Sequence, residues 1–594
     1  MLRAPAAGSL PWLSYRERMS DAPMVTPTPD EPVAHWAWRW RIPLLLLLAI
    51  AAVAPGSSSV RSLEEHEVLV ARTASEMLLS GDFAVPHFNG EPRLEKPPAS
   101  YWLVASAHRL LGGEPDERIP EFTARLPSML AGVALLFVTI AIGNVAFGDR
   151  RIGWTAAVLL ATSWGFCCWA HNARPEIGYA LLCALMMVGF LWLQHSRSDA
   201  GAGLRAGLLA WGSFAAAILV KGPQLPLFLL VGVVAALLLE RPRPSLLRSL
   251  RPFLGLALLP LAGLYFGYLA LQVEGARELW ISEMLQSAGD QKVVPIWQRP
   301  LNLYFVRSTL LLLMPWAFPV GLAAVRLARE RPAPARMLGW CVAAPILFLS
   351  FSPKLRPHYV LPTLPLLAVL MAWGCVGFFD KNASDAAGRK RLARWLGVHA
   401  AVFTAALVTL TALAFRVDAG TGERPWRQVL PWTVMALAAV AASWHARRTS
   451  VLRSSVLLAL AAVSLFGAVA TANLDYAPHR HTRVAFARDV ARLVPTSVPL
   501  VQNAGPVHAV VYYANRIIPY IRFEDLPSLL ARQPETLLIS QPSRMKAAGV
   551  SAEEWVRERP VRRKEPMVLY RFGRAVNGAE ADPTLAVGRS QREE

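Results

Sequence analysis

The sequence predicts a polytopic α-helical membrane protein with a small α/β domain after its last span, and three observations lead there. The chain has 594 residues, of which 54% are hydrophobic and only 17% charged, with a mean hydropathy of +0.35. A soluble chain of this length would carry far more surface charge. Its apolar residues fall into blocks of about 14 to 22, the length of helices that satisfy their own backbone in lipid. Basic residues gather in alternate loops between those blocks, which is the charge asymmetry of a multi-pass protein.

The apolar blocks predict about thirteen spans, over 42–55, 126–147, 154–170, 177–193, 204–220, 225–239, 252–272, 304–325, 337–351, 360–379, 396–413, 429–444 and 451–472. Gly222-Pro223, beside Lys221, marks either a loop or a re-entrant bend. One set of loops carries Arg150 and Arg151, then Arg197 and Arg205, then Arg241 to Arg251, Arg326 to Arg336, Lys381 to Arg394 and Arg447 to Arg453. The opposite short loops carry about half as many basic residues, so the first set is expected to be cytoplasmic. Arg39 and Arg41 put the N-terminus on the same side. A cleaved signal peptide ending at Ala52-Val53-Ala54 is the rival for the first span; it leaves the topology unchanged.

The organisation expected is a disordered cytoplasmic N-terminus (1–35), a transmembrane domain (36–472) with a first external loop at 57–125, an extracytoplasmic α/β domain (473–573) and a disordered tail (574–594). In the α/β domain, Val498–Val501, Thr536–Ile539 and Met567–Tyr570 read as strands, with helical patterns at Thr482–Leu493 and Phe523–Arg532. The net charge of +20 is spread over loop ends rather than along one stripe, so lipid headgroups and phosphates are the expected partners and nucleic acid is not. All five cysteines lie in apolar blocks without metal or disulfide spacing.

The external loop carries the chemistry. It runs Glu64-Glu65-His66-Glu67, a helical pattern to Met77, Ser80-Gly81-Asp82, Pro86-His87-Phe88-Asn89-Gly90, Glu95-Lys96-Pro97-Pro98 and Tyr101-Trp102. The stretch Ala74 to Trp102 closely resembles the first external loop of the aminoarabinose transferase and protein O-mannosyltransferase superfamily. These are GT-C glycosyltransferases that take sugar from a polyprenyl phosphate. The resemblance continues through Asn172 to Glu176, Lys221-Gly222-Pro223 and Lys354 to Pro362. It implies the GT-C fold with about thirteen spans and an exported C-terminal domain, and probes for function follow from it.

Such transfer needs a base for the acceptor hydroxyl, cations for the phosphate leaving group, and exclusion of water. The family's base is the Asp of an Asp-Glu pair; here His66 stands at the Asp position and Glu67 at the Glu. Glu67 is the first choice as base, with Glu65 or His66 as replacements; a solvated, helix-capping charge cluster is the bland alternative. The resemblance makes Glu176 a second acidic catalytic residue that orients the acceptor or assists the base; complementing the dipole of the helix it starts is the ordinary alternative. By the same resemblance Lys96 is the best donor-phosphate ligand, joined by Lys354, Arg356, His358 and Tyr359 and more weakly by Lys292. Arg174, Glu95 and Tyr101 position substrate. Lys221 ranks below these as a phosphate contact, and His87 reads as a loop-structuring residue. No metal site is required, although external carboxylates leave a divalent ion open.

The function expected is transfer of a sugar from undecaprenyl phosphate to a lipid A, glycan or protein acceptor at the periplasmic face of a bacterial inner membrane, by a monomer. A transporter or flippase is one alternative; it would place ionisable groups at midplane in repeated halves. A lipid-binding scaffold that has lost its base is the other.

Overall fold

The computed structural model describes residues 40–55, 57, 61–196, 199–278, 280, 301–352, 354–383, 385–416, 425–447, 451–471, 478–504, 507–559 and 565–572. The segments 1–35 and 574–594, and Lys292, lie outside the described residues. The chain divides into two compact units, Met1–Tyr476 and Ala477–Glu594.

The first unit is helical. In chain order it holds α1 (Arg41–Val53), α2 (Glu65–Ser80), the hairpin β1 (His87–Phe88) and β2 (Glu91–Pro92), α3 (Ala99–Leu110), α4 (Glu121–Phe147), α5 (Arg150–Ala161), α6 (Trp164–Trp169), α7 (Glu176–His195), α8 (Ala200–Lys221), α9 (Gln224–Leu239), α10 (Leu246–Leu250) and α11 (Pro252–Gln272). Then come α12 (Tyr304–Leu312), α13 (Pro319–Glu330), α14 (Ala333–Leu349), a 3-10 turn (Pro357–Thr363) running into α15 (Leu364–Ala383), α16 (Ala386–Arg416), α17 (Pro425–Ala446) and α18 (Val451–Thr471).

Every apolar block of the sequence is helical, but the blocks are not equivalent. Among the described residues, seven helices are long and apolar enough to cross a membrane, and this is a multi-pass membrane protein. They are α4, α7, α8, α11, the 357–383 segment, and parts of α16 and α17. Helices α1, α9 and α14 and the 453–467 part of α18 are apolar but shorter. The blocks at 154–170 and 304–325 are each broken in two, which corrects the expectation of continuous helices there.

The breaks have a local cause. Thr162 and Ser163 hydroxyls donate back to the carbonyls of Val158 and Leu160, at 2.6 and 2.7 Å, an alternative to continuing the helix. The other block is interrupted around Met314-Pro315. The two interruptions bond to each other: Trp164 N–H donates to the Met314 carbonyl at 2.8 Å, and Trp316 Nε1 donates to Thr162 Oγ1 at 2.8 Å. Non-helical backbone is tolerated at membrane depth only where such partners exist.

Burial separates centre from periphery. The apolar window of 357–383 is 94% buried, whereas that of α11 is 17% buried and presents Phe253, Leu256, Leu264 and Leu271 outward. Close helix contact uses small residues, as expected without a hydrophobic drive between helices. A Cβ on Gly189 of α7 would sit 2.5 Å from Ala210 N of α8.

The second unit holds α19 (Pro478–Leu493), β3 (Leu500–Asn503), α20 (His508–Tyr513), α21 (Leu526–Arg532), β4 (Leu537–Ser540), α22 (Pro542–Ala547), β5 (Glu553–Arg557) and β6 (Val568–Arg571). Its sheet order is β3-β4-β6-β5, with β3 and β4 parallel and β6 antiparallel to both its neighbours. Val501, Leu538, Val568 and Tyr570 face Leu526 and Met545 in a small core. Strand β5 was not legible, because Glu553-Glu554-Trp555-Val556-Arg557 lies largely exposed at the sheet edge.

Candidate active site

The loop between α1 and α4 is built as a rigid platform, and its signature residues are mostly its struts. Helix α2 ends on Gly81, whose φ of 72° is the left-handed cap that glycine favours. Asp82 Oδ1 then accepts from the amides of Ala84 and Val85 at 2.8 and 3.1 Å, an Asx turn. The hairpin turns on Asn89-Gly90, both at positive φ, the two-residue turn this pair favours. The amides of Asn89 and Gly90 donate to the Glu76 carboxylate at 2.8 and 3.0 Å, and Arg72 Nε donates to it at 2.8 Å. Trp102 Nε1 donates to the Phe83 carbonyl at 2.8 Å, and Tyr265 of α11 reaches the Ala84 carbonyl at 3.0 Å.

This platform presents Glu95 and Lys96 as exposed side chains, ahead of buried Pro97 and Pro98 and the start of α3. Glu95 lies 3.4 Å from Arg93. Tyr101 is 1% exposed, and its hydroxyl accepts from Arg93 Nε at 3.3 Å. Burial pushes its phenol pKa up, with Arg93 opposing. Tyr101 therefore braces the loop through Arg93, two residues before Glu95. His87 lies in β1.

At the start of α2 the four residues Glu64 to Glu67 divide sharply. Glu67 is fully buried. Its carboxylate accepts from Arg125 Nε and Nη2 at 2.9 and 3.1 Å, from Glu64 N at 2.8 Å as half of a capping box, and from Ala173 N at 2.8 Å. Burial alone would raise its pKa, but the Arg125 guanidinium outweighs it and holds the carboxyl at about 2. With four N–H donors on its two oxygens, Glu67 is bonded as a structural carboxylate, which speaks against the role of base that the sequence favoured. Glu65 and His66 are exposed. Partial burial of the His66 ring, with the charges of Arg174 and Arg356, lowers its pKa to about 4, while Glu65 and Glu176 act in the opposite sense.

The second cluster lies where α7 begins. Glu176 is 4% exposed. Its Oε1 accepts from Lys221 Nζ at 3.1 Å and Arg174 Nη2 at 3.3 Å, with His358 Nε2 3.6 Å away. Its Oε2 is buried and has no hydrogen-bond partner among the described residues. Arg174 also lies 3.6 Å from Glu64 and stacks over the Trp169 ring at 4.7 Å. Lys221 ends α8 and lies over the Tyr359 ring at 5.3 Å. His358 packs against Trp169 and Tyr359 at 4.6 and 4.9 Å between ring centres.

Arg174, Glu176, His358 and Tyr359 thus share one cluster, with His66 and Arg356 within its electrostatic reach. Lys354 lies half-buried two residues before Arg356. Lys221, ranked below the other cations, joins the cluster through Glu176, 45 residues away in sequence. Trp169 and Arg125 were missed. An arginine in the first turns of a spanning helix was the available signal for Arg125. Among the described residues no group of three or more His, Cys, Asp or Glu side chains is arranged to hold a metal ion.

Comparison with known proteins adds to this geometry. A family model described as dolichyl-phosphate-mannose-protein mannosyltransferase matches residues 95–266. The chain is 30% identical over 355 residues to the undecaprenyl phosphate-alpha-4-amino-4-deoxy-L-arabinose arabinosyl transferase of Pseudomonas savastanoi pv. phaseolicola, covering 57% of this chain and 60% of that protein. It is 28% identical over 315 residues to an uncharacterized protein of Aquifex aeolicus, covering 52% and 58%. The chain therefore spans about three fifths of the length of the curated relatives it matches. Its fold is similar to that of ArnT from Cupriavidus metallidurans bound to undecaprenyl phosphate. That match has a TM-score of 0.72 at 18% identity and covers 90% of this chain and 98% of that one.

Proposed function

We propose that this chain is a glycosyltransferase of the aminoarabinose transferase and protein O-mannosyltransferase superfamily that moves one sugar from an undecaprenyl-phosphate donor to an acceptor at the periplasmic face of a bacterial inner membrane. The observation that carries this reading is the buried Glu176 carboxylate, ringed by Lys221, Arg174 and His358, with one oxygen that has no hydrogen-bond partner among the described residues. A buried charge at a membrane boundary is costly and is kept where it is used.

His66 takes the proton of the acceptor hydroxyl. It stands at the family's base position, is exposed, and with a pKa of about 4 is neutral at pH 7. The acceptor oxygen bonds to the anomeric carbon as the bond from that carbon to the phosphate oxygen breaks. The electron pair leaves with the phosphate, and attack from the opposite face inverts the centre. Lys96, Lys354, Arg356 and Tyr359 hold the phosphate, since cations and a phenol stabilise the charge that grows on it. His358 packs beside them, and Lys292 remains a contact suggested by sequence alone. Glu176 Oε2, aimed by Arg174, accepts from a sugar or acceptor hydroxyl. Glu65 supports His66, and Glu95 orients Lys96. The chain acts as a monomer with its N-terminus cytoplasmic and its second unit periplasmic. Lipid A, an envelope glycan or a protein is the acceptor.

The test is transfer of labelled sugar from undecaprenyl phosphate by the purified full chain. Lys96→Ala and Glu176→Gln, at normal membrane levels, each lower the rate by about 10²-fold or more. Full activity in both variants overturns the mechanism.

A further inference from the structure

The Glu67–Arg125 pair joins four segments that the chemistry needs in register. Arg125 of α4 gives its Nε and one Nη2 bond to Glu67. It also donates to the carbonyls of Arg61 at 2.8 Å, Ser62 at 3.0 Å and Ser57 at 3.4 Å. Glu67 in turn takes the amides of Glu64 and Ala173. One enclosed ion pair therefore ties the strand of chain entering α2, the first turn of α2, α4, and the loop entering α7. Arg61 adds a second tie, its Nη1 meeting His171 Nε2. His66 is the residue before Glu67, and Arg174 is the residue after Ala173.

Stability alone is a weak reason for such a pair. Desolvating two charges costs several kcal/mol each, and well-packed apolar residues often serve as well. Directional bonds do what apolar packing cannot: they fix distance and angle between two backbone segments.

We infer that Glu67 and Arg125 are positioning residues, whose shared bonds hold His66 at a set distance from Arg174 and Glu176. The inference rests on the proposed transfer reaction for its consequence in rate, though not for its consequence in structure. A misplacement of about 1 Å between reacting groups costs about 10²-fold.

Glu67→Ala leaves Arg125 buried without its partner and is expected to fold poorly. The informative variant is Glu67→Gln with Arg125→Gln, which removes both charges and keeps amides in their place. Two readouts are taken on the full chain. In sugar transfer from labelled undecaprenyl phosphate, the double variant is expected to lose about 10²-fold in kcat, with the donor KM within about threefold of wild type. In hydrogen exchange, amides in 61–67 and in 171–176 are expected to lose protection together, by about tenfold or more, while α15 is unchanged. Wild-type kcat in the double variant, or faster exchange in only one of the two segments, overturns the inference. If the wild-type chain itself moves no sugar from undecaprenyl phosphate, the functional reading falls, and the exchange arm still decides the positioning role.

Discussion

Glu67 and Glu176 are both acidic, both buried and both paired with arginine, yet their oxygens are bonded differently. Every approach to Glu67 is occupied: four N–H donors reach its two oxygens. Glu176 crowds its partners onto Oε1, and its buried Oε2 has no hydrogen-bond partner among the described residues. Burial and charge pairing do not distinguish a structural carboxylate from a chemical one. The proposed division between the two rests on how their oxygens are bonded.

The largest effect that comparison predicts is on activity at Glu176. Glu176→Gln keeps the shape but loses the charge facing Lys221 and Arg174, and transfer is expected to fall by about 10²- to 10³-fold. His66→Ala should lose about 10²-fold or more, the usual contribution of a positioned base. With Arg174, Arg356, Glu65 and Glu176 as its charged surroundings, kcat/KM should rise with pH through about 4 and be flat near neutrality. A limb that persists unchanged in His66→Ala would contradict the base assignment.

The closed carboxylate predicts a loss of stability instead. Breaking a buried pair by removing one partner costs about 3–5 kcal/mol, so Glu67→Ala should show a large fall in Tm or in membrane level before any assay of turnover. The pair also has a pH signature. Because the folded pKa of Glu67 is depressed to about 2 from an ordinary 4.5, its stabilisation is complete above the unfolded value. It is lost as pH falls from about 4.5 through about 2. Acid unfolding monitored with Glu67→Gln/Arg125→Gln should lack that component.

These two carboxylates also mark how far the sequence could be read. Both were visible as acidic residues outside apolar blocks, and the resemblance brought both to notice. Their partners were not visible: Arg125 lies 58 residues from Glu67, and no local pattern links them. The apolar blocks gave the helices, because hydropathy follows burial in lipid. The breaks at Thr162-Ser163 and Met314-Pro315 escaped, because side-chain bonds to nearby carbonyls leave hydropathy unchanged. The Asn-Gly amides of the signature Pro-His-Phe-Asn-Gly hold the Glu76 carboxylate, a pairing across 13 and 14 residues that no local pattern shows.

Smaller effects sharpen the same division. Gly90→Ala strains a position at φ 81° and should cost about 1 kcal/mol, with transfer per folded molecule nearly unchanged. His87→Ala, on the same hairpin, should alter the donor KM by less than about threefold. A loss of kcat at either position would move the hairpin from support into chemistry.

The account depends on groups from distant segments meeting at one membrane face. Cys168, only partly buried, is first changed to serine, and single cysteines are then placed at Glu65, Lys96 and Arg356 in intact cells. A membrane-impermeant thiol reagent is expected to label all three from the external side. Labelling of any one of them only after the cytoplasmic face is opened would contradict a shared site.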